Sequence, residues 1–181
     1  VAAELVRALP HSPRLVREAV RSCAQMRRAV LRALPQADAV LMTAAVADFT
    51  PAKVARAKLK KARAGLLIRL KPTPDILKEL GRRKAARKKP LALIGFALET
   101  GRGPSPSARL RTRLAEARRK LAAKNLDAIV LDTPAAMGAE HAEFHVLRAG
   151  EARARTIRAS KRAMARVLVR LAEELVAASF P

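Results

Sequence analysis

Cysteine and aromatic residues are scarce in this sequence of 181 residues. It contains one cysteine, Cys23, four phenylalanines, and neither tryptophan nor tyrosine. A single thiol excludes an intramolecular disulfide and argues against a cysteine-based metal site, so we interpret Cys23 as a small core residue. The shortage of aromatic rings also weakens any hypothesis in which the bases of single-stranded nucleic acid stack on side chains.

Long hydrophobic runs are missing as well. No apolar run approaches the roughly 20 residues that a helix needs to span a bilayer, and residues 1–10 lack the apolar stretch of a signal peptide. We therefore expect a cytoplasmic protein that has no membrane partner.

Acidic residues are few, because 15 Asp and Glu stand against 38 Lys and Arg, for a net charge of +23. Such a field attracts nucleic acid, an anionic membrane surface or phosphorylated small molecules. The basic residues are scattered through every segment, so a solvated surface biased towards arginine is an equally good interpretation. Half of the residues are apolar, which is enough for a core and predicts a single domain over residues 1–181.

Short aliphatic runs alternate with segments of helical periodicity. The runs predict strands at Ala39–Met42, Leu66–Leu70, Leu91–Phe96, Asp127–Leu131, Phe144–Arg148 and Arg153–Arg158. The periodic segments predict helices at Ser22–Leu34, Thr73–Leu80, Ala108–Lys124 and Ser160–Ala178. In the second helix, Thr73 is the predicted N-cap residue and Pro74 the first helical residue. This alternation is typical of a Rossmann-like three-layer α/β domain with a mostly parallel sheet and a small antiparallel portion.

Three segments carry residue types that suit a ligand beyond the carboxyl ends of parallel strands. Asp48 follows the first strand after several small residues, and its carboxylate suits a ribose, a base or a metal, or else forms a turn. Lys58 begins a lysine-rich segment that is typical of a flap over phosphates or of a solvated face. Thr73–Ile76 provides a helix N-terminus, which binds anions, although Asp75 there also simply offsets the helix dipole.

Other catalytic patterns are weak. His11, His141 and His145 are dispersed, and the last two fall at a turn and a strand start, where their spacing predicts no metal site. Residues 101–103 lack the pattern of a Walker or dinucleotide-binding loop.

Taken in order, several of these segments resemble one protein family. The sequence contains ADAVLMTAAVADFTP, KLKK, TPDILKELG, LIGFALET, KLAAKNLDAIVLD and SKRAMA. Their order and spacing are similar to those of the phosphopantothenoylcysteine synthetase domain, a phosphopantothenate–cysteine ligase that is often fused behind a flavin-dependent decarboxylase in bacteria. The resemblance covers roughly residues 24–178 and rests above all on AAVAD with the lysine segment that starts ten positions later.

The resemblance implies a reaction in coenzyme A biosynthesis. CTP would activate the carboxylate of 4'-phosphopantothenate as an acyl-cytidylate with loss of pyrophosphate, and the amine of L-cysteine would then attack to form the amide. Mg²⁺ would bridge the phosphates without a dedicated protein cage. The resemblance further implies a homodimer, and FMN only where a decarboxylase domain is fused upstream.

The same resemblance implies the site residues. Lys58 would lie on the closing flap as the catalytic lysine, because cationic side chains stabilise the charge that develops on the triphosphate. Lys120 and Lys124 are four residues apart, so both would point the same way from a helix. The implied nucleotide-binding residues are Met42, Thr43, Ala44, Asp48, Lys58, Pro74, Asp75, Ile76, Leu77, Phe96, Lys120 and Lys124.

The sequence also departs from the family pattern. The family's glycine-rich first turn and its catalytic asparagine, which stabilises the acyl-nucleotide, are not in this sequence. Residues 1–36 correspond to the family only from its third strand region, so we expect an N-terminally truncated domain. Asp132-Thr133 stands where the family usually has Asn-Asp. Two alternatives remain open: a basic nucleic-acid-binding protein, or an inactive truncated homologue.

Overall fold

The computed structural model describes residues 12–55, 57–58, 65–133, 136 and 138–179. Helices and strands alternate through these residues. In chain order they are α1 (Cys23–Ala33), a 3-10 turn (Leu34–Gln36), β1 (Ala39–Met42), β2 (Phe49–Pro51), β3 (Leu70–Pro72), α2 (Ile76–Ala85), β4 (Ala92–Leu98), α3 (Pro106–Ala123), β5 (Ala128–Asp132), β6 (His141–Arg148), β7 (Arg155–Ser160) and α4 (Lys161–Ala177).

Five of these strands form one sheet, in the order β1-β4-β5-β6-β7, while β2 and β3 pair in a separate antiparallel ribbon. β1, β4 and β5 are parallel, with Gly95 of β4 between Met42 and Ile129 in the register. β6 and β7 join the sheet in antiparallel orientation. The predicted Rossmann-like fold with an antiparallel portion is confirmed.

Two hydrophobic cores cover the two faces of the sheet, which gives three layers. On one face, α1, α2 and α3 pack on the strands around Leu80, Leu93 and Ile129. On the other face, α4 packs through Met164 and Leu168. β4 and β5 lie between the two cores and are buried on both sides, which explains why their sequences are continuous apolar runs. Among the described residues, no helix has the length and hydropathy needed to cross a membrane.

Serine side chains cap the N-termini of three helices. Ser22, Ser105 and Ser160 each accept a hydrogen bond from the backbone N–H three residues further on. A serine oxygen in this position satisfies one of the free N–H groups of the first turn. The predicted bounds of these three helices agree with the structure to within two residues.

The predicted start of α2 is wrong. Its N-cap residue is Asp75, whose carboxylate accepts a hydrogen bond from the N–H of Lys78 at 2.9 Å. The hydroxyl of Thr73 does not cap the helix but donates to the carbonyl oxygen of Ala47, in the loop after β1. The chain therefore stays extended through Pro74, and the helix begins two residues later than the sequence predicts.

The predicted strand at Leu66–Leu70 is also wrong. The observed strand, β3, overlaps it only at Leu70, while Leu67 and Ile68 are exposed. The opposing strand β2 is three residues long, and among the described residues the pairing extends before β3 only to Arg69, whose carbonyl oxygen accepts from the N–H of Ala52. The apolar pattern of this segment therefore marks a surface and not a buried strand.

β6 is longer than predicted, because it begins at His141 instead of Phe144. His141 and His145 consequently lie on one strand, about 13 Å apart, which is too far for one metal ion. His145 is buried, and its Nδ1 lies 2.9 Å from the hydroxyl oxygen of Thr156. Burial lowers the pKa of His145 below its usual value despite the carboxylate of Glu143 nearby, so His145 is a neutral core residue.

An ion pair anchors α1 to α2. Arg27 donates two hydrogen bonds to the carboxylate of Glu79, at 2.6 and 2.8 Å, and Arg83 donates two more, at 3.0 and 3.2 Å. The hydrogen bond from Arg27 is the largest of the influences that together lower the pKa of Glu79 to about 2. Cys23, at the start of α1, is partly buried against the core that α1, α2 and α3 form with the sheet.

Replacing Glu79 should reduce the acid sensitivity of the fold. Because the pKa of Glu79 falls from 4.5 to about 2 in the folded state, its stabilising effect is complete above pH 4.5 and is lost as the pH falls towards 2. Between about pH 6 and about pH 3.5, the free energy of unfolding in urea should decrease by about 1 kcal/mol less in Glu79→Gln than in the wild type. Glu173→Gln, at an exposed position of α4, is the control. An equal decrease in Glu79→Gln and the wild type would contradict this account.

Candidate functional site

A cleft of about 240 Å³ lies beyond the carboxyl end of β1. Four separate segments form it: the loop after β1, the start of α2, the middle of β4 and the end of α3. Ligands of open α/β sheets bind at this edge. The lining residues are Met42, Ala44, Ala45, Val46, Asp48, Thr73, Pro74, Asp75, Ile76, Leu77, Phe96 and Lys124.

Thr73 holds the loop after β1 in place. Its N–H donates to the carbonyl oxygen of Asp48 at 2.8 Å, and its hydroxyl donates to that of Ala47 at 2.5 Å. Both acceptors are backbone atoms. Within the described part of the chain, the carboxylate of Asp48 has no hydrogen bond or ion pair. It is therefore available to a ligand. Ala44 and Ala45 are small and exposed, so a ligand can approach the backbone of this loop closely.

An ion pair between Asp75 and Lys124 closes the opposite wall. The ammonium of Lys124, just after α3, lies 2.9 Å from Oδ2 of Asp75, whose Oδ1 caps α2. Burial on its own would raise the pKa of Asp75. The hydrogen bonds from the N–H of Lys78 and from Lys124 outweigh it, so the pKa lies below its usual value. The cleft is therefore bordered by an ionised carboxylate, a lysine and the first N–H groups of a helix.

Close packing of α2 against the end of α3 sets the position of Lys124. A Cβ atom added to Gly81 would lie 1.8 Å from the carbonyl oxygen of Lys124. The next residue, Asn125, has a positive φ of 51° and donates its side-chain amide to the carbonyl oxygen of Gly81 at 3.1 Å. Asparagine tolerates this left-handed conformation better than most residues. The chain thus turns out of α3 directly against the backbone of α2.

A second glycine lies beneath the cleft. A Cβ atom added to Gly95 in β4 would lie 2.8 Å from Leu77 and 2.9 Å from Leu126. The bare backbone of β4 therefore lets the first turn of α2 approach the sheet. This approach brings Leu77 within reach of Phe96 and Met42, with which it lines the cleft.

Comparison with known proteins agrees with this architecture. A sequence profile of the family described as DNA/pantothenate metabolism flavoprotein C-terminal domain matches residues 4–175. The chain belongs to this family. A solved structure of the DNA/pantothenate metabolism flavoprotein from Streptococcus pneumoniae superposes with a TM-score of 0.72 at 17% identity, covering 92% of this chain and 75% of that one. The two proteins share the fold.

Two relatives of this flavoprotein-family domain are more similar in sequence. The coenzyme A biosynthesis bifunctional protein CoaBC of Bacillus subtilis is 48% identical over 120 residues, which are 66% of this chain and 26% of that protein. A protein of an unknown prokaryotic organism, named cysteine/cysteine sulfinic acid decarboxylase, is 41% identical over 114 residues, 63% of this chain and 28% of that protein. The matches thus span about a quarter of the length of these relatives.

Nine of the twelve nucleotide-binding residues that the resemblance implied line this cleft in this member of the family, and three do not. Thr43 is exposed between two lining residues, and Lys58 is exposed elsewhere on the surface. The other three residues of the KLKK motif, 59–61, lie outside the described residues. Lys120 pairs with Glu99 at 2.5 Å, whereas Lys124 pairs with Asp75. The two lysines therefore bind different carboxylates instead of acting as one pair.

The roles of two residues in and near the cleft of this flavoprotein-family domain were missed at the level of sequence. Thr73 was interpreted as a helix cap, and its role as the tie to the loop after β1 has no local signal, because Ala47 is 26 residues away. Glu99 directly follows β4 and holds Lys120. An acidic residue at the carboxyl end of a strand was a detectable signal for this role.

Substituting Gly81 should disturb both stability and the cleft. In a helix, Gly→Ala normally adds up to about 1 kcal/mol of stability. At Gly81 the new Cβ meets the backbone of Lys124, so we expect a net loss of about 1 to 3 kcal/mol in the free energy of unfolding. Arg82→Ala, on the exposed side of the same helix, should change it by less than about 0.5 kcal/mol. Thermal or urea unfolding measures both, and a stabilised Gly81→Ala variant would refute the close contact.

Proposed function

We propose that this domain is the ligase of coenzyme A biosynthesis that joins 4'-phosphopantothenate to L-cysteine with CTP. The observation that supports it most is the cleft itself. Segments that are far apart in the sequence bring nine candidate nucleotide-binding residues to one lining, and Asp48 and Lys124 supply opposite charges at its two sides. The name of the Bacillus subtilis relative supports the same pathway.

The size of the cleft suggests which part of the nucleotide it holds. Pockets that enclose a whole ligand measure about 300–1,000 Å³, and this cleft measures about 240 Å³. We therefore assign the base and ribose to the cleft, with the free carboxylate of Asp48 accepting hydrogen bonds from their amino or hydroxyl groups. The triphosphate would extend past the start of α2, where helix N–H groups and Lys124 favour negative charge.

The main requirement of the reaction is that the negative charge on the phosphates be neutralised. A carboxylate oxygen of 4'-phosphopantothenate attacks the α-phosphorus of CTP, the bond to pyrophosphate breaks, and an acyl-cytidylate forms. The amine of cysteine then attacks the acyl carbon, loses a proton and expels CMP. Both steps build charge near phosphates, so cations that neutralise it accelerate them. Lys124, which pairs with Asp75 at 2.9 Å, would do so by turning to a phosphate, and Lys58 would reach the phosphates from a flap that closes over the bound nucleotide.

Mg²⁺ would accompany the triphosphate, because it binds phosphate oxygens and keeps several of its own waters. Because Asp48 is assigned to the base and ribose, Mg²⁺ would be held by the phosphates and its own waters, without a dedicated protein cage. FMN would be bound only by a decarboxylase domain fused upstream of this one.

Calorimetric titration with CTP and with ATP, each with Mg²⁺, tests the proposal. We expect CTP to bind more tightly than ATP. Asp48→Asn and Lys124→Gln should each weaken CTP binding by about tenfold, as expected for the loss of one charge-assisted hydrogen bond, and Lys58→Ala should weaken it as well. Lys88→Gln is the matched control, since Lys88 is an exposed lysine beyond the far end of α2. Unchanged CTP binding in both cleft variants would exclude this cleft as the site.

The same titrations separate the alternatives. Binding of RNA in place of either nucleotide, with an affinity that falls steeply with salt and ignores Asp48→Asn, would identify a nucleic-acid-binding protein. Nucleotide binding without formation of the amide, measured by mass spectrometry, would identify an inactive homologue.

The proposed function includes a homodimer, and the β2–β3 ribbon offers the surface for it. Phe49 and Leu70 on this ribbon are 58% and 57% exposed, and Val54 and Leu67, which lie between its two strands in the sequence, are 84% and 90% exposed. A two-stranded ribbon is marginally stable on its own. Val54 and Leu67 line one surface groove beside it, and exposed apolar side chains that cluster in this way mark a protein contact. We assign the ribbon to contact with the same ribbon of a second subunit, which would cover these side chains in a two-fold arrangement.

Leu67→Asp should therefore produce a monomer. A buried carboxylate without a partner at the centre of the contact opposes association, so sedimentation velocity should show the mass of one chain for the variant and of two for the wild type. Val169→Asp, at a position of α4 that is 53% exposed, is the control and should remain dimeric. A monomeric wild type at high concentration would contradict the assignment.

A further inference from the structure

A second cleft, of about 320 Å³, lies between α4 and the β6–β7 hairpin. It is near the end of the sheet where β5 begins, since Arg148 on its wall pairs with Ala128, the first residue of β5. The first cleft lies at the opposite end of the sheet, beyond β1 and β4. The two clefts share no lining residue, so the second cleft has no part in the proposed nucleotide site.

The floor of the second cleft is aliphatic. Val146 and Ile157 come from the two strands of the hairpin, and Val167 and Leu171 come from the facing side of α4. Val146 and Leu171 are buried. The volume is at the lower end of the range for ligand-binding pockets, which suits a small molecule with a short hydrocarbon portion.

The rim of the second cleft carries three arginines and two glutamates. Arg148 engages both carboxylates: its Nε lies 3.4 Å from Glu151, and its Nη1 lies 3.2 Å from Glu174. Arg155 and Arg170 have no hydrogen bond or ion pair with any residue that the structure describes. Two arginines without a partner among the described residues therefore line one cleft, beside carboxylates that are already paired with Arg148.

We propose that the second cleft binds a small anion, a carboxylate or a phosphate monoester, carried on a short apolar stem. The planar guanidinium groups of Arg155 and Arg170 suit such an anion, because each presents paired N–H donors that match its oxygens. The aliphatic floor takes the stem and removes it from water. A cationic ligand would instead face three arginines, and the two glutamates that line the cleft are already paired with Arg148.

Chemical-shift titration of the full chain at low salt tests this site with four probes: hexanoate, hexyl phosphate, acetate and hexylamine. Hexanoate, hexyl phosphate or both should shift the methyl signals of Val146 and Val167 in a saturable way, and the tighter of the two identifies the anion. Acetate, which lacks the stem, should bind at least about tenfold more weakly than hexanoate. Hexylamine should not bind.

The matched variants separate a built site from general attraction to a basic surface. The double variant Arg155→Gln, Arg170→Gln should bind both stemmed anions at least about tenfold more weakly. Arg166→Gln removes an exposed arginine one turn away on α4 that does not line the cleft, and it should bind them like the wild type. Circular dichroism confirms that each variant is folded.

The proposal is overturned by equal binding to the double variant and the wild type, by binding of hexylamine as tight as that of hexanoate, or by shifts that do not saturate. None of these readings involves CTP, so a failure here is distinct from a failure of the proposed ligase function.

Discussion

The contact between the backbones of Gly81 and Lys124 is the constraint on which the first cleft depends. A side chain on residue 81 would occupy the position of the carbonyl oxygen of Lys124, so α2 and the end of α3 can meet at this distance only at a glycine. The contact places the ammonium of Lys124 next to Asp75. Asp75 in turn caps α2, and the capped end of the helix forms one wall of the cleft. One missing methyl group thus determines the separation of two helices and the charge beside the proposed phosphate path.

The few acidic residues connect elements that the basic majority would otherwise push apart. Glu79 joins α1 to α2, Glu99 joins the end of β4 to α3, and Asp127 binds both Lys84 and the N–H of Leu93. Each carboxylate accepts from a cation or a backbone donor of a distant segment. The large excess of positive charge is therefore carried by arginines and lysines on the surface. Such a charge favours anionic ligands at long range without selecting among them.

The periodicity of the sequence predicted the central elements well, because these signals are local. The apolar runs of β4 and β5 and the periodic stripes of α1, α3 and α4 can be identified from a few neighbouring residues. The errors fell where tertiary contacts decide. Thr73 could serve as a helix cap or as a tie to Ala47, and the choice depends on a loop that is distant in the sequence. Leu66–Leu70 has the pattern of a strand, but within the described chain only Leu70 pairs with another strand, β2.

The residues of the site were predicted from resemblance to a family and not from local periodicity. Resemblance to a family indicated which residues belong near the nucleotide, and the fold shows that all but Thr43, Lys58 and Lys120 line one cleft. Spacing alone suggested that Lys120 and Lys124 act together, but the helix ends between them, and each binds the carboxylate nearest to it. The segments that form the first cleft also determine when during synthesis the cleft can form. β1 pairs with β4, 53 positions further along the chain at Ala39 and Ala92, and contacts of such range form late. A chain emerging from the ribosome therefore lacks the cleft until Lys124 has been synthesised, and any molecule that the cleft holds stabilises the completed sheet as a whole.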